Sequence, residues 1–557
     1  MEQSGMKQIE FNVLDEPWIR VMKDDCTVEE CSLIQVLTDC HKYRRLAGEL
    51  PTQDVAILRL LLAVLHTIFS RVDAQGTPNP LDDRSEAVNR WAELWRAGRL
   101  PEKPILDYFE KWRDRFWLFH PEYPFWQAPG AKIGTGYSSA KLNGELSESA
   151  NKSRLFPLRT GSGKERLTYG EAARWLVTLN GFDDTSAKPK EKGLPSPGAG
   201  WLGKLGLIYA EGNNLFETLM LNLVLLRNGV TLEDEQRPVW EKDKPKSDER
   251  TEIAMPDNQA ELLTLQSRRL LLQRDKSGVT GYSLLGGDFF PKENAASEQM
   301  TLWKQRDAKT NAISPRRLNP DKQLWRDFSV VTGTGEGTKT PGVVAWIAKL
   351  GEKRILNRRH TTCFRTAGVK YGDKDFLVED VLQDYLYLHT SLLEESGSKW
   401  VDLIQRKIEQ TEKGANILGD FADGIFIAGG GDAKGSTREA VRKQAVQAYY
   451  AAVDLEFRKW LLAIDPERGY DEELCAEKDE QWREVAYKIA MQRARRIVNN
   501  AGELAFVGRW IEGRSKGKER FVSSSSEFNR FAARIKKCFD MVSKEKEDTD
   551  GRQKEHG

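Results

Sequence analysis

Six histidines, His41, His66, His120, His360, His389 and His556, are scattered along the chain. None stands in HExxH, HxH or an HD pair, the spacings that let imidazoles share a metal or work beside a carboxylate base. Gly161-Ser162-Gly163-Lys164 has some letters of a phosphate loop. It lacks the preceding strand and the first-glycine spacing that turn backbone amides into a phosphate cradle. No GxSxG elbow and no kinase signature set is present. The paired carboxylates Asp183-Asp184 and Glu379-Asp380 have the chemistry to bind a divalent cation. In a chain that is 30% charged they are expected as solvated surface groups instead. The cysteines Cys26, Cys31, Cys40, Cys363, Cys475 and Cys538 form no CxxC pair and no Cys/His cluster of zinc spacing. Free thiols in a reducing cytoplasm are expected, with no metal and no cofactor. These residue patterns favour binding over catalysis.

The elements that position any site are expected to fall in two or three domains, because 557 residues exceed what one ordinary core organises. FNVLDEPWIRV, from Phe11 to Val21, reads as a strand broken by a proline turn. Leu50-Pro51-Thr52 opens a long apolar helix with Thr52 as its expected N-cap. The run Val55 to Phe69 is short of a membrane span and carries Arg59 and His66, so it reads as a buried helix. Further helices are expected at Arg84–Trp95, Pro104–Phe116, Thr168–Leu179 and Leu215–Arg227. Gln127–Gly163 and Gly181–Gly206 read as loops. Leu262–Gln273 and Asp327–Gly333 read as strands. Beyond Phe376 helical periodicity takes over, in Val378–Leu393, Trp400–Asp423, Arg438–Ala463, Glu472–Asn499 and Glu527–Val542.

The expected fold is therefore mixed α+β. A large irregular N-terminal α/β domain (1–376) precedes a C-terminal four-helix bundle (377–545). A charged tail, 546–557, is expected to be disordered. Lys and Arg exceed Asp and Glu by 85 − 84 = 1. A protein that bound nucleic acid alone through a broad basic face would usually be more basic, so any nucleic-acid contact is expected to be local or shared with more basic partners. The opening MEQSGMKQIEF has no apolar signal-peptide core, which fits a cytoplasmic protein without a membrane.

Four ordered blocks carry a family resemblance. They are FNVLDEPWIRV with ELPTQDVAILRLLLAVLHTIF; HPEYPFWQ; GAGWLGKLGLIYAEGNNLFETLMLNLVLL with RPVWEKDKP; and LLTLQSRRLLL with MTLW and LWRDF downstream. Their order and spacing resemble the CasA large-subunit family of type I-E CRISPR surveillance complexes (Cascade). The resemblance implies a non-catalytic subunit beside the crRNA. Such a subunit reads a protospacer-adjacent motif in double-stranded DNA from the minor-groove side. It helps open an R-loop and docks a helicase–nuclease. Partners implied are crRNA, duplex target DNA, the other Cascade subunits and that helicase–nuclease. A purely structural interaction subunit is the alternative reading.

Carried onto this chain, the family's glycine loop matches Gly198, Ala199, Gly200 and Trp201, after Pro197. Its minor-groove lysine matches Lys292, with Lys304 as the other candidate. Its wedge hairpin matches Gly372, Asp373, Lys374 and Asp375, where an ordinary turn is the competing reading. Lys374 or a neighbour stands where the family can place a glutamine. A loop toward crRNA and neighbouring subunits matches Arg154, Phe156, Arg159, Lys164 and Arg166. In the bundle, Arg493, Arg495 and Arg496 are candidate phosphate contacts, with a salt-bridged helix surface as the competitor.

Overall fold

The computed structural model describes residues 8–143, 161–187, 189–307, 309, 312–357, 360–432, 435–466, 471–512 and 519–541. The chain divides into two compact units. The first runs through Leu386; the second runs from Tyr387 onward, with the short stretch ending at Thr361.

In the first unit six strands matter for the site. They are β1 (Thr135–Ser138), β2 (Leu207–Glu211), β3 (Arg268–Asp275), β4 (Gly278–Gly286), β5 (Thr361–Tyr371) and β6 (Val378–His389). Two antiparallel sheets result, ordered β1-β4-β3 and β6-β5-β2. In the first, Arg268 faces Gly286 and Leu270 faces Leu284. In the second, Cys363 faces Glu211 and Ala367 faces Leu207.

Three helices support these sheets: α1 (Pro51–Phe69), α2 (Tyr169–Phe182) and α3 (Leu215–Asn222). α1 begins with Pro51 at its first position, where the missing N–H is no loss. Leu50 is the N-cap residue, and Thr52 lies buried within the first turn rather than capping it. With 19 residues, α1 is longer than its apolar run. Among the described residues it alone is long and apolar enough to cross a membrane. Its apolar window is 94% buried, so it is the spine of this core. α2 begins with a capping box between Thr168 and Glu171.

His66 is enclosed in α1, and burial pulls its imidazole down to about 3. The fold therefore holds it neutral. Below pH 6.5 the unfolded chain takes up a proton that the fold excludes, so stability falls as pH falls. The expected slope from this group is roughly 1.4 kcal/mol per pH unit. Urea titrations between pH 7 and 5 should show that slope, flattened in His66→Leu. An equal slope in both proteins would remove His66 as its source.

The second unit is built on α4 (Ser398–Ala428), α5 (Ser436–Leu462), α6 (Glu472–Asn499) and α7 (Ser524–Cys538). α4 packs against the other three, and α6 touches both α5 and α7. Trp482 sits at its centre. Its indole N–H donates to Thr411 Oγ1 at 2.9 Å, and its ring meets Phe457 edge-on at 4.9 Å. Gly414 on α4 leaves room for Phe539, whose ring would lie 2.8 Å from an added Cβ.

Several expected elements differ. Val378–Leu393 is not a helix: β6 occupies Val378–His389. Its last turn of pattern alternates, with Tyr385 and Tyr387 40% and 42% exposed and Leu386 and Leu388 fully buried. That is strand geometry, and pairing to β5 decides it. The division at Leu386–Tyr387 thus falls beyond residue 376, since most of β6 belongs to the first unit's sheet. Asp327–Gly333 contains the short helix Phe328–Thr332, closed by Gly333 in the left-handed region at φ 71°. The β-branched pair Val330-Val331 is overruled by burial on one helical face. α3 stops at Asn222 rather than Arg227, and Leu262–Gln273 is split between the helix Gln259–Leu263 and β3.

Candidate nucleic-acid interface

α2 ends at Phe182, and the residues just past it organise the candidate site. The loop Pro197–Trp201 folds back on this helix end: Gly200 N–H donates to the Asp183 carbonyl at 2.9 Å. A Cβ on Gly200 would fall 2.4 Å from the Gly181 carbonyl oxygen. Gly200 is therefore a glycine because backbone packs on backbone. Gly198 differs. Its φ of +67° is left-handed, and a Cβ there would meet only Lys204 Nζ, at 4.0 Å. One glycine closes the loop and the other presents bare backbone.

The loop is held from behind. Arg268 has a fully buried side chain. It donates to Asp183 Oδ2 at 2.5 Å, the Asp184 carbonyl at 2.8 Å and the Gly198 carbonyl at 2.5 Å. Trp201 donates its indole N–H to Glu298 Oε2 at 3.1 Å. Glu298 in turn makes a two-pronged ion pair with Arg59 of α1, at 2.8 and 3.0 Å. Ala199 and Trp201 are 2% and 4% exposed, so they anchor the loop and offer no surface to a ligand. Asp183 and Asp184, expected as solvated carboxylates, are buried. Asp183 pairs with Arg268, and Asp184 lies 3.6 Å from Lys141 Nζ. The other pair stays at the surface, where Glu379 meets Lys370 at 2.9 Å.

β5 and β6 form the hairpin expected from the sequence, with Gly372–Asp375 at its turn. Gly372 N–H donates to the Leu377 carbonyl at 3.0 Å. Lys374, Asp375 and Leu377 all have left-handed φ, at 55°, 60° and 66°. Each costs about 1–2 kcal/mol outside glycine, so outside contacts must hold the turn. They are present. Arg317 grips Asp375 through both carboxylate oxygens, at 2.6 and 2.8 Å. Thr185 donates its N–H to the Asp375 carbonyl at 3.1 Å and its hydroxyl to the Lys374 carbonyl at 3.0 Å. Tyr371 OH donates to the Phe182 carbonyl at 2.8 Å.

Lys292 is exposed at the start of the turn Lys292–Ser297. Its charge reaches the hairpin tip. Asp375 is lowered from the usual carboxylate range first by its hydrogen bonds from Arg317, and Lys204 and Lys292 add to the effect. Lys304, the other candidate, is exposed on the strand Trp303–Asp307. The glycine loop, Lys292 and the hairpin tip, assigned separately along the chain, thus converge.

Four contributors escaped the sequence reading: Lys204, Arg250, Arg317 and Phe376. Phe376, beside the tip, is 48% exposed. An aromatic next to a Gly-Asp turn was the available signal. The cations gave none, because an isolated Lys or Arg is most often a surface charge.

Of the loop expected to face crRNA, Arg154, Phe156 and Arg159 lie outside the described residues. Arg166 is paired with Asp275 at 3.1 Å, both half-exposed, and the Lys164 carbonyl accepts from Ser139 Oγ at 2.9 Å. The tail 546–557 also lies outside the described residues. In the second unit, Arg493 and Arg496 line an open groove of about 680 Å³ whose walls include Phe426 and Ile497; Arg495 is not on them. None of the three arginines has an ion pair among the described residues.

This architecture is of a recognised class. Thermobifida fusca Cse1 superimposes with a TM-score of 0.79 at 30% identity, covering 96% of this chain and 99% of that one. Cse1 from Acidimicrobium ferrooxidans gives 0.77 at 23% identity, covering 97% and 100%. A chain of a CRISPR RNA-guided surveillance complex gives 0.68 at 16% identity, covering 94% and 99%, a likeness of fold. The CasA/Cse1 protein of Thermus thermophilus is 33% identical over 327 residues, 58% of this chain and 60% of that relative. The family model for CRISPR-associated protein Cse1 matches residues 12–493. The chain belongs to the CRISPR-associated Cse1 family.

Proposed function

We propose that this chain is the non-catalytic large subunit of a cytoplasmic, crRNA-guided antiviral complex. It reads a protospacer-adjacent motif in duplex DNA, starts strand separation and R-loop formation, and then docks a helicase–nuclease. One observation carries the reading: an open glycine backbone, a solvent-facing lysine and a braced hairpin tip meet at one place. Bare backbone at Gly198 can approach the minor-groove edge, where few groups distinguish bases. Lys292 supplies a cation that can enter a narrow groove. Phe376 is the apolar wedge: inserting it beside the motif would unstack a step at a cost of a few kcal/mol, offset by contacts and by new pairing with the guide. The near-zero net charge assigns most of the electrostatic grip to crRNA-bound partner subunits. Arg493 and Arg496 are suited to phosphates of displaced DNA.

The test is motif-dependent duplex capture by the assembled complex. Gly198→Val and Lys292→Ala should each weaken binding to a motif-bearing duplex about tenfold or more, the worth of one good groove contact. Lys292→Ala should melt as the parent does, and Gly198→Val should lose about 1–2 kcal/mol to the strain of a β-branched residue at a left-handed position. Undiminished capture by both variants would sink the proposed reading and leave a scaffold role in its place.

A further inference from the structure

We propose that Lys204 and Arg250 form a cradle for one backbone phosphate of the DNA, seated beside the open face of Gly198; this rests on the DNA-reading function proposed above. Lys204 ends the short turn Leu202–Lys204, and its Nζ is the one atom within 4.0 Å of where a Gly198 Cβ would stand. Arg250 reaches the same place from another segment. Its side-chain carbons pack where a Cβ on Gly286 would lie, at 3.3 Å, and that position is 3.1 Å from Pro197 Cγ. Its guanidinium lies 3.6 Å above the Phe289 ring. Pro197 is the residue before Gly198, so the Arg250 stem runs beside the loop at Pro197 while Lys204 Nζ stands beside it at Gly198.

Among the described residues neither Lys204 nor Arg250 has an ion pair, and Arg250 Nε is buried without a hydrogen-bond partner. Their neighbours are committed elsewhere: Arg268 to Asp183, and Arg317 to Asp375. Burial pulls the Lys204 ammonium down to about 8, helped by Arg250, Arg268 and Arg317 and opposed by Asp375. Burial likewise pulls Arg250 down to about 10, with Arg268 adding and Glu252 opposing. Two half-buried, unpaired cations side by side are costly. A phosphodiester offers what both lack, one negative charge and two acceptor oxygens, to a point-charge ammonium and a fork of guanidinium donors. DNA is the fitting source, because a backbone that approaches the groove edge brings flanking phosphates with it.

A phosphate contact positions and does not read sequence. In the assembled complex, Lys204→Gln and Arg250→Gln should therefore weaken motif-bearing and motif-free duplexes by the same factor. Each should reduce the slope of log affinity against log salt by about one. The parent should lose affinity as pH rises past 8, because the free ammonium deprotonates there, whereas Lys204→Arg should hold affinity across that range. Lys204→Gln should melt no lower than the parent, which separates the effect from misfolding. An unchanged salt slope in Lys204→Gln, with Gly198→Val still weakening capture of the motif-bearing duplex, would overturn the cradle alone. If Gly198→Val were also silent, the DNA-reading function itself would fall. Competition between inorganic phosphate and duplex at fixed ionic strength, lost in Lys204→Gln, would support the cradle; phosphate binding that depends on Lys204 but leaves duplex affinity unchanged would assign it to a free anion and overturn its assignment to DNA.

Discussion

Glu298→Ala is expected to destabilise the first unit by about 3–5 kcal/mol, because it strands a buried charge. All the acceptor capacity of Glu298 is in use. One oxygen takes Arg59 and the Met300 N–H, at 2.8 and 3.1 Å; the other takes Arg59 and the Trp201 indole, at 3.0 and 3.1 Å. Without it, the Arg59 guanidinium stays 1% exposed inside α1 with no counter-charge. Replacing both partners, Arg59→Met with Glu298→Leu, should recover most of the loss, since the desolvation of both ions disappears together. Burial alone would raise the Glu298 carboxyl, but the charge and hydrogen bonds of Arg59 outweigh it and leave the group lowered from 4.5. Its stabilising contribution is thus complete above pH 4.5 and lost as pH falls below that value. Denaturant titrations of the two variants decide the matter: a loss under about 1 kcal/mol in Glu298→Ala would place this pair among ordinary surface ion pairs.

Arg268→Met is expected to act on stability and on capture together. It leaves the 3% exposed Asp183 carboxylate without its cation and strips donors from the Asp184 and Gly198 carbonyls. The cost should again be about 3–5 kcal/mol. Motif-dependent binding by whatever folded complex remains should also fall, because the Gly198 segment loses its tether. Gly198→Asn is the informative contrast. Asparagine tolerates the left-handed region, so it should leave the melting transition nearly in place. If Arg268→Met and Gly198→Asn reduced capture with equal losses of stability, the tether would not be the cause.

Much of the bundle was legible because long helices repeat their signal. The expected limits of Glu472–Asn499 coincide with α6 at both ends. The mixed architecture was legible for the same reason, since periodicity changes along the chain. Local pattern failed where pairing or enclosure decides. In β6, apolar residues at Val378, Val381, Leu382 and Leu386 imitate a helical face, and only the strand beside them settles the geometry. The adjacent arginines Arg268 and Arg269 interrupt an apolar strand, which signals buried charge. Their partners, Asp183 and Asp288, lie in other segments that no local spacing connects. At the candidate site, resemblance supplied Gly198, Gly200, Lys292 and the hairpin. It could not separate the glycine that packs from the glycine that faces outward. It also missed Lys204 and Arg250, whose meaning comes from what surrounds them.

The short stretch after α2 holds both the loop and the hairpin tip of the proposed interface. The Asp183 carbonyl accepts from Gly200 of the loop, and Thr185 donates to the Lys374 and Asp375 carbonyls of the tip. Phe182 accepts the hydroxyl at the base of the hairpin. Loop and hairpin share one fulcrum only a few residues long. Under the proposed function, a duplex that pressed on the loop would load the hairpin through the same backbone, so that recognition and prying would form a single lever rather than two devices in sequence.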